Sequence, residues 1–213
     1  MSQLFEAIDF VEVPLYERII GDIAHQKYCV IDHFFDDTEV DILRTSLLEK
    51  YQEDAFKKAA IGNKFDEVIA KSIRGDVILW MDEARANPSE SLFFNKINHL
   101  VNYLNKTCFM GILHKEFHYA IYPKGTFYKR HLDTFKNDDR RKLSFVCYLN
   151  HEDWQPENGG ELVLYLDENN PENDKIIYPL PGRVVIFESQ IIEPEVKPVN
   201  TKRLSITGWL KTR

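Results

Sequence analysis

No window of the sequence approaches the roughly 18 consecutive apolar residues that a membrane-spanning helix needs. The opening residues carry Glu6, Asp9, Glu12 and Glu17 where a secretory signal would be basic and then apolar. A soluble, cytoplasmic protein with no membrane partner is therefore expected. Cysteine is scarce: Cys29, Cys108 and Cys147 are odd in number, far apart and form no CxxC, which argues against a disulfide framework or a thiolate zinc site. Basic charge is also short, with 27 Lys and Arg against 34 Asp and Glu and a net charge of -7. That excludes a chain-wide nucleic-acid footprint, leaving only a local cluster at Arg140 to Lys142, and no nucleic-acid partner is expected. Nine Gly and nine Pro, with no repeat and no low-complexity stretch, exclude collagen-like and disordered classes. What remains is 213 residues, 44% hydrophobic, enough for one compact domain.

The text divides near residue 110. Residues 2–20 are weakly periodic and read as a helix or arm. KYCVIDHFF (residues 27–35) reads as a strand, followed by Asp37 and Thr38 as helix-start signals before Val40, Leu43, Leu47 and Leu48 at helical spacing. IRGDVILWM (residues 73–81) is strand-like, and Leu92, Phe93, Ile97, Leu100, Val101 and Leu104 define a second amphipathic helix. Residues 54–72 lack a clean period and read as a long surface loop, a common form of lid. Beyond residue 110 come short strand-like runs at 114–122, 126–133, 142–149, 161–166, 175–178, 183–188, 195–199 and 203–210, divided by turn residues. About eight strands in a hundred residues indicates a sandwich or jelly roll. The expected class is α+β, a single domain with helical support over about 1–110 packed on one sheet of a jelly-roll core over about 111–213.

Three features could carry chemistry. In Tyr128 to Asp133 a strand would turn His131 and Asp133 to one face, and an imidazole beside a carboxylate suits Fe(II), Mn(II) or Zn(II). Alone, HxD also fits a surface hydrogen-bonded pair. In RLSITGWL (residues 203–210) one face collects Arg203, Ser205, Thr207 and Trp209; a guanidinium and hydroxyls there could clasp a carboxylate, or form a solvated stripe. The Gly159–Gly160 pair opening GGELVLY marks a bulge or tight corner without a catalytic role. His25, His33, His99, His114, His118 and His151 do not converge on HxD by spacing and read as structural or surface residues; Cys147 reads as a packed thiol.

Together these segments resemble the Fe(II)- and 2-oxoglutarate-dependent dioxygenases, in the prolyl hydroxylase branch that holds the hypoxia-inducible-factor prolyl hydroxylases and their bacterial relatives. IRGDVILWMD resembles the branch's RGD and WxD signature, AIYPKGTFYKRHLDTF its YPxGxxYxxHxD segment, RKLSFVCYLNHEDWQPENGGELVLY its YLNxxWxxxxGGxL segment, and VKPVNTKRLSITGWL its PVxxxRxSxTGW ending. Coverage runs from about residue 27 onward. The resemblance implies a double-stranded β-helix with His131 and Asp133 as metal ligands. It implies Arg203 holding the distal carboxylate of 2-oxoglutarate, with hydroxyls of Tyr148 and Thr207 beside it, and Tyr122, Leu162 and Trp209 lining the pocket. Fe(II) and 2-oxoglutarate follow as cofactors, with ascorbate as a companion, and a protein or peptide as the hydroxylated substrate, closed over by residues 54–72.

The sequence departs from the family at one position. Where the family writes HEVxPV this chain has Pro194, Glu195, Val196, Lys197, Pro198 and Val199, and no histidine follows His151. Proline has no donor atom for a metal. Regular strand alternation turns Pro194, Val196 and Pro198 inward and Glu193 and Glu195 outward. A bulge at Pro194 would instead turn Glu193 to the metal, giving a one-His, two-carboxylate site; without it, His131, Asp133 and the oxo acid hold the ion with water. Two functions stay open: a prolyl hydroxylase with an atypical or impaired iron site, and a non-catalytic jelly roll that binds a protein or a dicarboxylate. A sugar-binding or isomerase jelly roll would share the architecture but not the YLN, GG and RxSxTGW text.

Overall fold

The structure is a computed structural model that describes residues 11–53, 57–58, 73–134, 140–167 and 170–212. Among the described residues, three α-helices precede most of the sheet: α1 (Pro14–Gln26), α2 (Asp37–Gln52) and α3 (Pro88–Cys108). α2 and α3 begin with reciprocal capping boxes, Asp36 with Glu39 and Asn87 with Glu90, each of which satisfies two otherwise orphaned amides. Such a cap is worth about 1 kcal/mol and fixes where each helix begins. Of the stretch 2–20, the described part is helical from Pro14 onward.

Among the described residues, ten strands form two sheets. The larger has the order β1 (Tyr28–Ile31), β8 (Val184–Glu188), β5 (Arg141–Tyr148), β10 (Arg203–Lys211), β4 (His114–Tyr122), β3 (Val77–Met81) and β2 (Lys57–Lys58). The smaller is β7 (Lys175–Ile177), β6 (Leu162–Tyr165) and β9 (Glu193–Val196), and all pairings are antiparallel. Strands β1 to β3 extend the large sheet, so the first 110 residues supply sheet as well as helix. The fold is a double-stranded β-helix, the jelly roll expected.

Alternation along the strands sorts side chains into two cores. Phe117, Tyr119 and Ile121 of β4, Leu143, Phe145 and Cys147 of β5, and Leu204, Ile206 and Leu210 of β10 face the helices, where Phe93, Ile97 and Leu100 of α3 meet them. Phe93 stands edge-on to Phe117 and Phe145 at centroid distances of 5.0 and 6.1 Å. The opposite face of the same strands looks into the roll, where Ala120, Tyr122, Val146 and Tyr148 meet Leu162, Leu164 and Val196 of the small sheet. The helices therefore lock one face of the sheet and leave the other to form a pocket.

Two expectations are corrected. Residues 126–133 do not form a strand; Tyr128 makes isolated bridges to Arg74 and Val196 and the rest is irregular. β9 ends at Val196, so Pro198, expected inside, is exposed. The lid expected over residues 54–72 lies outside the described residues except for Lys57–Lys58, which pairs with β3.

Candidate dicarboxylate and metal site

The pocket is built on the inward face of β10. Arg203, Ser205, Thr207 and Trp209 share that face, opposite Tyr122, Ala120, His118 and Glu116 of β4 in register. Arg203 is only 1% exposed. Its Nη1 donates weakly to Ser205 Oγ at 3.4 Å, its Nε has no hydrogen-bond partner, and no carboxylate pairs with it among the described residues. The guanidinium lies 4.9 Å from the ring of Tyr122 and 5.0 Å from that of Tyr148. Tyr148 is fully buried with an unpartnered hydroxyl, and burial raises its pKa. A buried cation with no anion, beside an orphaned hydroxyl, is costly unless a ligand completes both.

His131 and Asp133 meet although their segment is not a strand. The backbone amide of Tyr128 donates to Val196 O and that of His131 to Pro194 O, which hangs the segment on β9. The His131 ring stacks on Tyr128 at 3.6 Å and 12°, and Arg74 covers Tyr128 at 4.3 Å. Arg74 is held by the buried carboxylate of Asp76 at 2.7 and 2.5 Å. Burial works against the Arg74 charge, and the Asp76 pair overrides it and keeps the guanidinium ionised. His131 Nδ1 lies 2.7 Å from Lys129 O and so carries the proton; its Nε2 then turns a lone pair to Asp133 Oδ1 at 3.2 Å. Two acceptors converging in this way suit a cation, H⁺ or metal, between them. Ser144 donates to Asp133 Oδ2 at 2.6 Å and is itself 2.9 Å from Ser189. Burial opposes the Asp133 charge, but the contact with His131 and the hydrogen bond from Ser144 prevail and hold its pKa below the ordinary value.

One inner cavity joins these groups: His131, Asp133, Arg203, Thr207, Leu162 and Pro194 all line it, as do Tyr122 and Trp209. An outer groove of about 470 Å³ continues from it past Trp80, Leu132, Arg74 and Arg141. The expected pocket residues are thus brought together, with Tyr148 just behind Arg203. Glu193 is not. β9 is regular, with Pro194 and Val196 buried and Glu193 and Glu195 between them turned out, and Glu193 is ion-paired with Arg130 on the outer side. The bulge that would have made it a ligand is absent, because Pro194 and Glu193 keep their places opposite Leu164 and Tyr165. His118, read from the sequence as structural, in fact lines both inner cavity and outer groove. Its spacing of two and four from Ala120 and Tyr122 was the available signal.

The profile of the 2OG-Fe(II) oxygenase superfamily matches residues 117–211. The crystal structure of a Pseudomonas putida prolyl-4-hydroxylase is 33% identical, with 93% of this chain and 99% of that chain covered and a TM-score of 0.82. This chain belongs to the 2OG-Fe(II) oxygenase superfamily, in its prolyl hydroxylase branch. A prolyl hydroxylase from Trichoplax adhaerens in complex with a hypoxia-inducible-factor peptide fragment is 27% identical over 93% of this chain and 89% of that one, with a TM-score of 0.82. A viral collagen prolyl hydroxylase from Paramecium bursaria Chlorella virus-1, in a 2OG complex, shares the fold at 20% identity and a TM-score of 0.61, over 89% of this chain and 98% of that one.

Of the two cofactors that the family implies, the residues of this pocket fit one and not the other. Unpartnered Arg203 Nε and Tyr148 hydroxyl match the needs of 2-oxoglutarate's carboxylate. Iron does not find its three protein donors: among the described residues no three His, Cys, Asp or Glu side chains converge as a metal site, and Pro194 stands where the third would project.

Proposed function

We propose that this chain is a 2-oxoglutarate-binding protein of the prolyl hydroxylase branch in which dicarboxylate binding persists and iron-dependent hydroxylation is impaired. The observation that carries the reading is Arg203: a cation 1% exposed, without a carboxylate partner among the described residues, aimed along the wall of an inner cavity. Evolutionary drift alone gives no physical reason to keep an unpaired charge inside a β-sandwich, where a hydrophobic residue of like volume would cost nothing in desolvation. In the folded protein Arg203 binds a ligand carboxylate, the Tyr148 hydroxyl adds a neutral hydrogen bond, and the apolar walls of Leu162 and Val196 exclude water.

The second reading, a prolyl hydroxylase acting on a protein or peptide, is favoured by the His131–Asp133 pair. Its tautomer and its clamp on Ser144 keep two donors pointed at one spot beside the outer groove. That groove, bordered by Trp80 and Leu132, is the place for the peptide.

An anaerobic Fe(II) titration with 2-oxoglutarate separates the two. The wild type is expected to show no visible band of a chelated complex at micromolar iron, and Pro194→His is expected to gain it. A wild-type band of full intensity would overturn the impaired reading and restore the hydroxylase one.

A further inference from the structure

β4 presents a second unpartnered group to the same cavity. His118 is 2% exposed, and its Nδ1 has no hydrogen-bond partner among the described residues. The rings of Trp80 and Trp209 flank it at 4.9 and 5.6 Å, so it is fixed on both sides. A buried nitrogen left without a partner costs about 1–3 kcal/mol, which structural packing alone does not explain.

The register places this group relative to Arg203. His118 lies opposite Thr207, and Tyr122 lies opposite Arg203, so the two anchors are four residues apart along adjacent strands, about 13 Å of backbone. Both side chains reach into the one cavity and close part of that span. A diacid lying along β10 in that cavity would have one anchor toward each end. The neighbouring carboxylate of Asp133 is turned to other groups, its Oδ2 accepting from Ser144 and its Oδ1 facing His131. A ligand carboxylate at His118 would meet a buried Nδ1 that has no other partner among the described residues.

We infer that His118 is the second anchor of the dicarboxylate, donating from Nδ1 to the carboxylate remote from Arg203, and that the chain binds such acids without a metal ion. This rests on the reading of Arg203 as a carboxylate site and adds the other end. The ligand class is a short-chain dicarboxylate, with or without a 2-oxo group, because no bound metal is then needed to read the oxo oxygen.

Calorimetric titration of the full chain, stripped with EDTA, tests this with 2-oxoglutarate, glutarate and the monoacid butyrate. The two diacids are expected to bind comparably, and butyrate about tenfold or more weakly, the worth of one buried hydrogen bond to a charged group. His118→Phe keeps the ring volume and removes the nitrogen, and its affinity for both diacids is expected to fall to that for butyrate. His118→Asn retains a donor near Nδ1 and is expected to stay within about threefold of wild type, while thermal melts verify that both variants fold. Diacid binding unchanged in His118→Phe overturns the inference and leaves the Arg203 reading intact. Binding that appears only when Mn(II) or Fe(II) is added also overturns it and keeps that reading. If no acid binds the wild type with or without metal, both fall.

Discussion

A methyl group on residue 160 would stand 3.0 Å from Cδ of Arg203 and 2.5 Å from Cγ1 of Val199. Gly160 also has a φ of +70°, a conformation costly for any residue with a side chain. The second glycine of the GG pair thus lets the Arg203 stem lie against the backbone, and the pair is more than a corner. Gly160→Ala is expected to cost about 1–3 kcal/mol of stability from strain and crowding. It is also expected to weaken 2-oxoglutarate binding by displacing the guanidinium. Calorimetry alongside denaturant melts checks both; a destabilised variant with wild-type affinity would uncouple Gly160 from the site.

Arg203→Met should separate stability from binding. Removing the side chain takes away a buried charge that has no carboxylate partner, so the ligand-free variant is expected to melt at or above the wild-type temperature. Dicarboxylate affinity is expected to drop by about 2–5 kcal/mol, the range for deleting one member of a desolvated charge pair. A variant that melts well below wild type would mean that Arg203 is chiefly structural.

Ser144→Ala removes the donor to Asp133 Oδ2 and strands the Ser189 hydroxyl, both inside the roll. The expected loss is about 1–3 kcal/mol. A depressed carboxylate pKa contributes stability that is present above the unfolded value near 3.9 and is lost as pH falls through the folded one. Without Ser144 the folded value rises, so this contribution shrinks and its loss begins at higher pH. Urea midpoints from pH 6 down to pH 2.5, for wild type and variant, measure the change.

His118 has the opposite chemistry but the same direction of pH dependence. Burial, then the nearby Arg74 charge, pulls its pKa down to about 3. The unfolded chain takes up that proton near pH 6.5 while the folded chain refuses it, so stability is complete above pH 6.5 and declines as pH falls toward 3. At pH 5 the decline is about 2 kcal/mol. His118→Phe is therefore expected to lose about 2 kcal/mol less than wild type between pH 7 and pH 5. Equal losses would show that the folded ring accepts the proton.

Most of the pocket was legible because β alternation is a strong local rule. Arg203, Thr207 and Trp209 could be placed on one face from RLSITGW alone, and the outward turn of Glu193 followed from the same parity. The HxD segment was harder. Its two residues do meet, but through bridges from Tyr128 to Arg74 and Val196, partners about 50 and 70 residues away whose pairing leaves no local trace. His118 was missed because an isolated histidine carries no motif, and its meaning arises only when β10 sets Thr207 beside it. The role of Gly160 likewise depends on Val199 and Arg203, some forty residues on.

β10 is the latest of the described strands to be synthesised, yet it is the middle strand of the large sheet, between β5 and β4. Until it arrives, β4 and β5 have no strand between them, and each offers an open edge to other chains. A ribosome-bound chain that stops short of residue 203 can hold two partial sheets but no cavity, since Arg203, Thr207 and Trp209 all travel on the missing strand. Closure of the large sheet and creation of the binding site are the same event, and a small acid present at that moment would act as a template for the closing strand.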